Sequence, residues 1–87
     1  MSRYDIYGEI EKERECQDHK WGGPDHDDKH GDYDWIAFIV KHLGRAVQSM
    51  GFHRNYRDCM LRVAALAVAA VEAHDRKYGS YTKVTPP

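Results

Sequence analysis

Three stretches of the chain carry apolar residues at the spacing of an α-helix. They span about residues 4–20, 32–51 and 55–78. In each stretch apolar side chains recur every three or four positions, as on one side of a helix, and glycine or proline residues separate the stretches. The pattern predicts an all-α fold with three helices in a single domain, residues 1–79. The polar tail, residues 80–87, ends in two prolines and is expected to be flexible.

The second stretch, DWIAFIVKHLGRAVQSMG, predicts an amphipathic helix. Asp32 or Asp34 would cap its start and Gly51 would close it. Its predicted buried side comprises Ile36, Ile39, Val40, Leu43, Val47 and Met50. Polar side chains stand opposite, at Lys41, Arg45 and Gln48, and the flank between the two sides carries Trp35, Phe38, His42 and Ser49. An aromatic and basic border along one side of a helix is a candidate binding surface.

The third stretch predicts a helix that starts at the cap residue Asn55 and ends before Gly79. Its middle, MLRVAALAVAAV, is apolar nearly all round and predicts burial on more than one side. Ala65, Ala69 and Ala73 recur at four-residue steps and form a smooth ridge. Such a ridge permits close approach of another helix, which a second subunit could supply. Arg62 interrupts the run, either as a surface partner of Asp58 or as a cation aimed into a pocket.

The first stretch begins apolar, and its stripe then becomes polar. Ile6, Tyr7 and Ile10 are followed at helical steps by Arg14, Gln17 and Trp21. This change predicts a helix that leaves the core and enters a site or an interface. The alternative is that Arg14 and Gln17 reach solvent at a frayed helix end.

Between the first two helices lies a stretch rich in aspartate, histidine and glycine, WGGPDHDDKHGDYDW. It predicts a loop of about a dozen residues, and the bulky tryptophans at its two ends, Trp21 and Trp35, favour a loop that is tied down. Oxygen and nitrogen ligands for a metal are present at Asp25, His26, Asp27, Asp28 and His30. The same side chains also cap helices and satisfy loop backbone, and the interpretation favours that structural use.

Composition narrows the classes of function. The chain has 87 residues and a net charge of -1, so it lacks the basic excess of most nucleic-acid binders. No apolar run approaches the roughly 20 residues of a membrane span, and no signal peptide is recognisable, so a cytoplasmic location is expected. A core this small is marginal by itself, which favours a homo-oligomer. Cys16 and Cys59 are expected to be reduced thiols.

Three segments carry a further resemblance: EIEKERECQDHKWG, DWIAFIVKHLGRA and NYRDCMLRVAALAVAAVEAHDRK. The most specific parts are the helix RVAALAVAAVEAHDRK and the pattern Glu13, Arg14, Gln17, Lys20, Trp21, Gly22. Together, over about residues 10–77, they resemble small phage and prophage proteins of the MazG-like nucleotide pyrophosphohydrolase group. The resemblance implies a helical bundle that forms dimers or tetramers. It also implies magnesium-dependent cleavage of nucleoside triphosphates between the first and second phosphates.

That family holds magnesium with two acidic motifs, E-E-x-x-E and E-x-x-D, and this chain departs from both. The first motif falls on Lys41, His42 and Arg45, and the second on Cys59 and Arg62. Residues 35–56 contain no aspartate or glutamate, so no shift of register restores the acids. Cations in place of metal ligands would contact phosphate oxygens directly but would supply no metal-bound water.

The sequence therefore predicts a protein that holds a nucleotide-like ligand without cutting it, with no cofactor. Arginine and lysine would contact phosphate: Lys41, Arg45, Arg62 and Arg14. Aromatic side chains would stack on a base: Trp21, Trp35 or Phe38. Polar side chains would contact its edges: Gln17, His26 or His42. In a phage, such a protein would sequester a nucleotide signal of host defence in the host cytoplasm.

Two alternatives stay open at this point. One is an enzyme with a relocated magnesium site, built from acidic and histidine side chains: Asp25, His26, Asp27, Asp28, Glu13, Glu72 and Asp75. The other is an interaction module without a ligand, in which the alanine ridge and the tryptophans contact a host protein.

Overall fold

A computed structural model describes residues 1–48 and 53–79, with side chains described from residue 56 in the second part. It contains four helices: α1 (Arg3–Trp21), α2 (Pro24–Asp27), α3 (Asp32–Gln48) and α4 (His53–Tyr78). No strand occurs in these two ranges, and the predicted all-α class is confirmed. The predicted tail 80–87 and the predicted positions Ser49, Met50 and Gly51 lie outside the described residues.

Local hydrogen bonds fix both ends of α1. The Ser2 hydroxyl accepts from the Asp5 backbone N–H at 3.2 Å, and the Asp5 carboxylate accepts from the Ser2 backbone N–H at 2.9 Å. This reciprocal pair is a capping box, which satisfies backbone donors that the first turn leaves free. At the other end Gly22 has φ 107°, and its N–H donates to the Asp18 carbonyl at 2.8 Å.

The ends of α3 and α4 agree only in part with the prediction. The Asp34 carboxylate accepts from the Gly31 N–H at 3.0 Å, so this aspartate acts from inside the first turn of α3. Helix α4 begins at His53, so Asn55 lies within the helix and is not its N-cap. The predicted end is confirmed, because α4 stops at Tyr78 and Gly79 adopts φ 83°.

The core lies along α4, which contacts the other three helices. Trp35 of α3 packs with Leu66, Ala69 and Ala73 of α4, and all four are buried. Ala65 is fully buried as well. The alanine ridge does permit close helix packing, but helices of the same chain cover it, so the proposed use of this ridge by a second subunit is wrong. Helices of the same chain cover the ridge because the large Trp35 ring packs against the small alanine side chains.

The predicted buried side of α3 is only partly correct: Ile39 packs against the core, but four other members do not. Ile36, Val40, Leu43 and Val47 are exposed, at 39% to 65% of their accessible area. Helix α3 instead packs against α4 through the side that carries Trp35, which lies about a quarter turn around the helix axis from these four residues. The helical spacing of the apolar residues was predicted correctly, but the most buried side chain, Trp35, lies beside these four residues and not among them. We call these four residues the aliphatic stripe.

The prediction for α1 is only partly correct, because Gln17 and Trp21 do border a hollow, described below, but the start of the helix is not in the core. The apolar start is exposed, with Ile6 at 39% and Tyr7 at 53%. The polar middle is covered, with Gln17 buried and the Arg14 side chain 13% exposed. Arg14 and Gln17 therefore do not reach solvent at a frayed helix end.

The stretch between α1 and α3 is more ordered than a plain loop. Pro24 opens the single helical turn of α2, and Asp27 at its end is 4% exposed. Proline suits a first helical position, where its missing N–H has no partner to lose. None of the helices in the described part of the chain is long and apolar enough to cross a bilayer.

Candidate ligand site between α1, α3 and α4

Two adjoining hollows lie beside α3. The first, here the basic cleft, has a volume of about 460 Å³. Its walls are Glu13, Cys16, Gln17, Lys20 and Trp21 of α1, Lys41, His42 and Arg45 of α3, and Arg62 of α4. The second, here the aromatic hollow, has a volume of about 300 Å³. Its walls are Trp21, His26, His30, Trp35, Phe38, Lys41, His42 and Leu66. Three residues border both: Trp21, Lys41 and His42.

The basic cleft carries an excess of positive charge. Four cationic side chains line it, but only one carboxylate does. The carboxylate belongs to Glu13, and the cations are Lys20, Lys41, Arg45 and Arg62. None of the ion pairs found among the described residues includes any of the four cations. Cations grouped without counter-ions create a local potential that attracts anions.

His42 lies where the two hollows meet. Burial lowers the pKa of its imidazole below the ordinary value, and the nearby charges of Arg45, Arg62 and Lys41 lower it further. The ring is therefore neutral at neutral pH. Its Nδ1 atom is buried and has no hydrogen-bond partner in the described part of the chain.

The aromatic hollow is built from rings in contact with one another. His26 stacks on Trp21 with centroids 6.2 Å apart and an interplanar angle of 24°. His30 meets His26 at 4.9 Å, Phe38 at 5.0 Å and Trp35 at 6.0 Å. Trp35 is 5% exposed, and its indole Nε1 has no hydrogen-bond partner among the described residues. A buried indole donor normally finds a partner.

A network around Arg14 holds α2 against the bundle. The Arg14 guanidinium donates to Asp18 at 2.9 Å, to Glu72 at 3.3 Å and to Asp27 at 3.4 Å. It also donates to the Gln17 side chain at 3.1 Å. Asp27 in turn lies 3.3 Å from Nδ1 of His26. The network therefore positions one wall of the aromatic hollow.

The structure brings together most of the residues that the sequence singled out for a ligand. Nine of them line one or both hollows: Gln17, Trp21, His26, Trp35, Phe38, Lys41, His42, Arg45 and Arg62. Arg14 lines neither hollow, because three carboxylates and an amide engage its guanidinium. Arg62 forms no ion pair with Asp58 and borders the basic cleft instead.

Sequence reasoning missed Lys20 as a cation of the site. It lies one helical turn after Gln17, so it falls on the same side of α1. That spacing, together with the buried Gln17, was the available signal.

The five potential metal ligands of the α1–α3 connection have other contacts or face solvent. Asp27 pairs with Arg14, Asp28 accepts from Arg76 at 2.8 Å, and Asp25 is exposed. His26 contacts Asp27, and His30 lies 3.7 Å from the Asp34 carboxylate. Within residues 1–48 and 53–79, no group of three such side chains is arranged to hold a metal ion.

Comparison with known proteins adds no relative. No protein-family model, curated protein or solved structure matches this chain. The functional argument therefore depends on the chain's own residues and on their geometry.

Proposed function

We propose that the protein binds a nucleotide-like, phosphate-bearing small molecule across the two hollows, with the phosphates in the basic cleft and a flat base in the aromatic hollow. One observation supports this most: four cations that have no ion-pair partner among the described residues border a cleft, and this cleft shares three wall residues with the aromatic hollow. A ligand that is anionic at one end and planar at the other complements both.

The cations differ in what each can do for a phosphate. The planar guanidinium groups of Arg45 and Arg62 can each donate hydrogen bonds to two phosphate oxygens at once. The ammonium groups of Lys20 and Lys41 are compact charges on flexible side chains. Lys41 borders both hollows, so it would contact the phosphate nearest the base. At an effective dielectric constant near 20, one charge pair at 4 Å is worth about 4 kcal/mol before desolvation. Desolvation and the ordering of these exposed side chains offset much of this energy, so affinity would depend on several contacts acting together.

The MazG-like resemblance remains part of the proposal. If this chain shares that ancestry, its cations stand where relatives hold magnesium, and a phosphate ligand would be bound without hydrolysis. Sequestration of a host-defence nucleotide by a phage-encoded protein is the use that such binding without turnover would serve.

The test has two stages. The purified protein is denatured, and the supernatant is examined by mass spectrometry for a released nucleotide. Thermal stability is then followed against nucleotides, including cyclic oligonucleotides and ADP-ribose derivatives. A ligand at a hundred times its Kd should stabilise the fold by about 2.7 kcal/mol.

Charge-reversal variants place the site. Arg45→Glu should abolish the stabilisation, because it puts an anion beside the phosphates. Lys12→Glu makes the same charge change at an exposed position of α1 outside both hollows and should leave binding nearly intact. Equal loss in both variants, or magnesium-dependent turnover of a bound nucleotide, would contradict the proposal.

Self-association of this chain is a second proposal, supported by the aliphatic stripe. Ile36, Val40, Leu43 and Val47 follow one another at steps of four, three and four residues, which is the spacing of a helix-pairing seam. A second copy presenting the same stripe is its natural partner, since a two-fold contact is self-complementary.

A further inference from the structure

We infer that ligand binding is coupled to proton uptake at His42, so that the site binds a phosphate-bearing ligand more tightly as the solution becomes mildly acidic. This inference rests on the proposed function and adds a regulation to the same site. His42 lies at the junction of the two hollows, because it borders both the basic cleft and the aromatic hollow. A phosphate bound in the cleft would therefore lie beside its ring.

Charges on three helices face His42. Burial lowers the pKa of its imidazole, and the positive charges of Arg45, Arg62 and Lys41 lower that pKa further. Arg45 and Lys41 belong to α3, like His42 itself, and Arg62 belongs to α4. Glu13 of α1 acts in the opposite direction and is the one carboxylate among the described walls of the cleft. The ligand-free site thus keeps this ring neutral at neutral pH.

A bound phosphate would shift this balance. Its negative charge would lie among the same cations, so the ring would be surrounded by less net positive charge. The protonated ring would also gain a counter-ion, which favours the charged form of a histidine. The pKa of His42 should therefore rise when the ligand binds. This effect acts through space and needs no hydrogen bond between the ligand and the ring.

Thermodynamic linkage gives the direction of the pH dependence. If the ligand strengthens the hold of His42 on its proton, the proton must strengthen ligand binding by the same factor. Affinity therefore rises as the pH falls from the pKa of the bound state toward the lower pKa of the free state. Below the pKa of the free state, both states carry the proton and the affinity becomes constant.

Other titratable side chains border the two hollows, so the measurement has to distinguish them from His42. Lys20 and Cys16 lie along the basic cleft, and His26 and His30 lie along the aromatic hollow. A terminal phosphate on the ligand would itself titrate near about pH 6. A probe of constant charge and a variant at position 42 remove both sources of ambiguity.

The test uses cyclic di-adenosine monophosphate, whose phosphodiester groups keep their negative charge across the pH range. Isothermal titration calorimetry should show that the affinity of the wild type rises about tenfold between about pH 7.5 and about pH 5.5, as one added charge contact predicts. Titrations in two buffers with different ionisation enthalpies should show net proton uptake on binding.

A matched pair of variants assigns the effect. His42→Gln should bind with little dependence on pH and little proton uptake, because it removes the titrating group. His19→Gln, at an exposed position outside both hollows, should retain the wild-type pH dependence.

Nuclear magnetic resonance of the wild type gives a second measurement that does not require a variant to fold. The titration midpoint of the His42 ring should be higher in protein saturated with the probe than in free protein. Sulfate, an anion with no base attached, should raise the midpoint as well. Sodium chloride at the same ionic strength is its control and should raise the midpoint less, because it only screens the cations.

The outcomes are distinct for the two claims. An unchanged His42 midpoint on binding, or a wild-type pH dependence in His42→Gln, would overturn the inference and leave the proposed binding site in place. If neither cyclic di-adenosine monophosphate nor sulfate bound at millimolar concentration, both the inference and the proposed function would be rejected.

Discussion

The guanidinium of Arg14 and the carboxylate of Asp27 lie 3.4 Å apart, and this pair joins the middle of α1 to the short helix α2. Both side chains are largely covered, at 13% and 6% exposure. Arg14 also reaches Glu72 of α4 at 3.3 Å. One cation thus connects three helices and positions the wall that carries His26.

Asp27→Ala should destabilise the fold by about 1.5–3 kcal/mol, because it removes one of the three carboxylates that contact the largely buried Arg14 guanidinium. Asp25→Ala should change stability by less than about 0.5 kcal/mol, since Asp25 is exposed and contributes no ion pair found in the described residues. Urea unfolding followed by circular dichroism measures both. Equal effects would show that the Arg14 network does not hold α2.

Two glycine substitutions should act in opposite directions. Gly23 has φ 69° and ψ -147°, a conformation that side-chain-bearing residues rarely adopt, so Gly23→Ala should cost about 1–3 kcal/mol. Gly44 lies inside α3 with no atom within 4 Å of an added Cβ, so Gly44→Ala should stabilise by about 0.5–1 kcal/mol. Thermal melts of the two variants check the signs. A neutral Gly23→Ala would mean that this turn readily relaxes.

Protonation of His42 should make the ligand-free protein sensitive to acid. Its pKa is lower in the folded chain than the ordinary value of about 6.5, so the unfolded chain binds the proton more readily. The contribution of this histidine to stability is therefore fully present above pH 6.5 and is lost as the pH drops through that value toward the lower folded pKa. Replacing this side chain should flatten the profile.

His42→Gln should accordingly lose less stability than the wild type between about pH 7.5 and about pH 5.5. Its control is His19→Gln, at an exposed position outside both hollows, which should keep the wild-type slope. Chemical denaturation at a series of pH values gives the slopes. A His42→Gln profile parallel to that of the wild type would argue against a lowered pKa at this histidine.

Val40→Glu should disrupt self-association, because it puts a charge in the middle of the aliphatic stripe. The same substitution at Ala37, which is exposed beside the stripe, should have a smaller effect. Sedimentation equilibrium should give a multiple of 10.1 kDa for the wild type and 10.1 kDa for Val40→Glu. Helical content should be unchanged, since Val40 is 60% exposed within one chain. A wild type that sediments as a monomer would reject the proposed pairing.

The period of the apolar positions was enough to predict the helical class and the extents of α1 and α4 to within a few residues. Those features depend on local interactions, such as the glycine that follows Tyr78. The same period placed four exposed residues of α3 on its buried side, because the rotation of a helix about its axis does not change its sequence pattern. Which side is buried depends on the partner helix.

Likewise, the sequence by itself showed that Lys41, Arg45 and Arg62 are cations on a helix flank or within an apolar run, since charge is a property of the residue. Only the tertiary structure decided that Arg14 is engaged by carboxylates whereas those three border a cleft. The difference is physical: side-chain chemistry is written in the chain, but a hollow and the partners of each charge arise from how separate helices pack against one another.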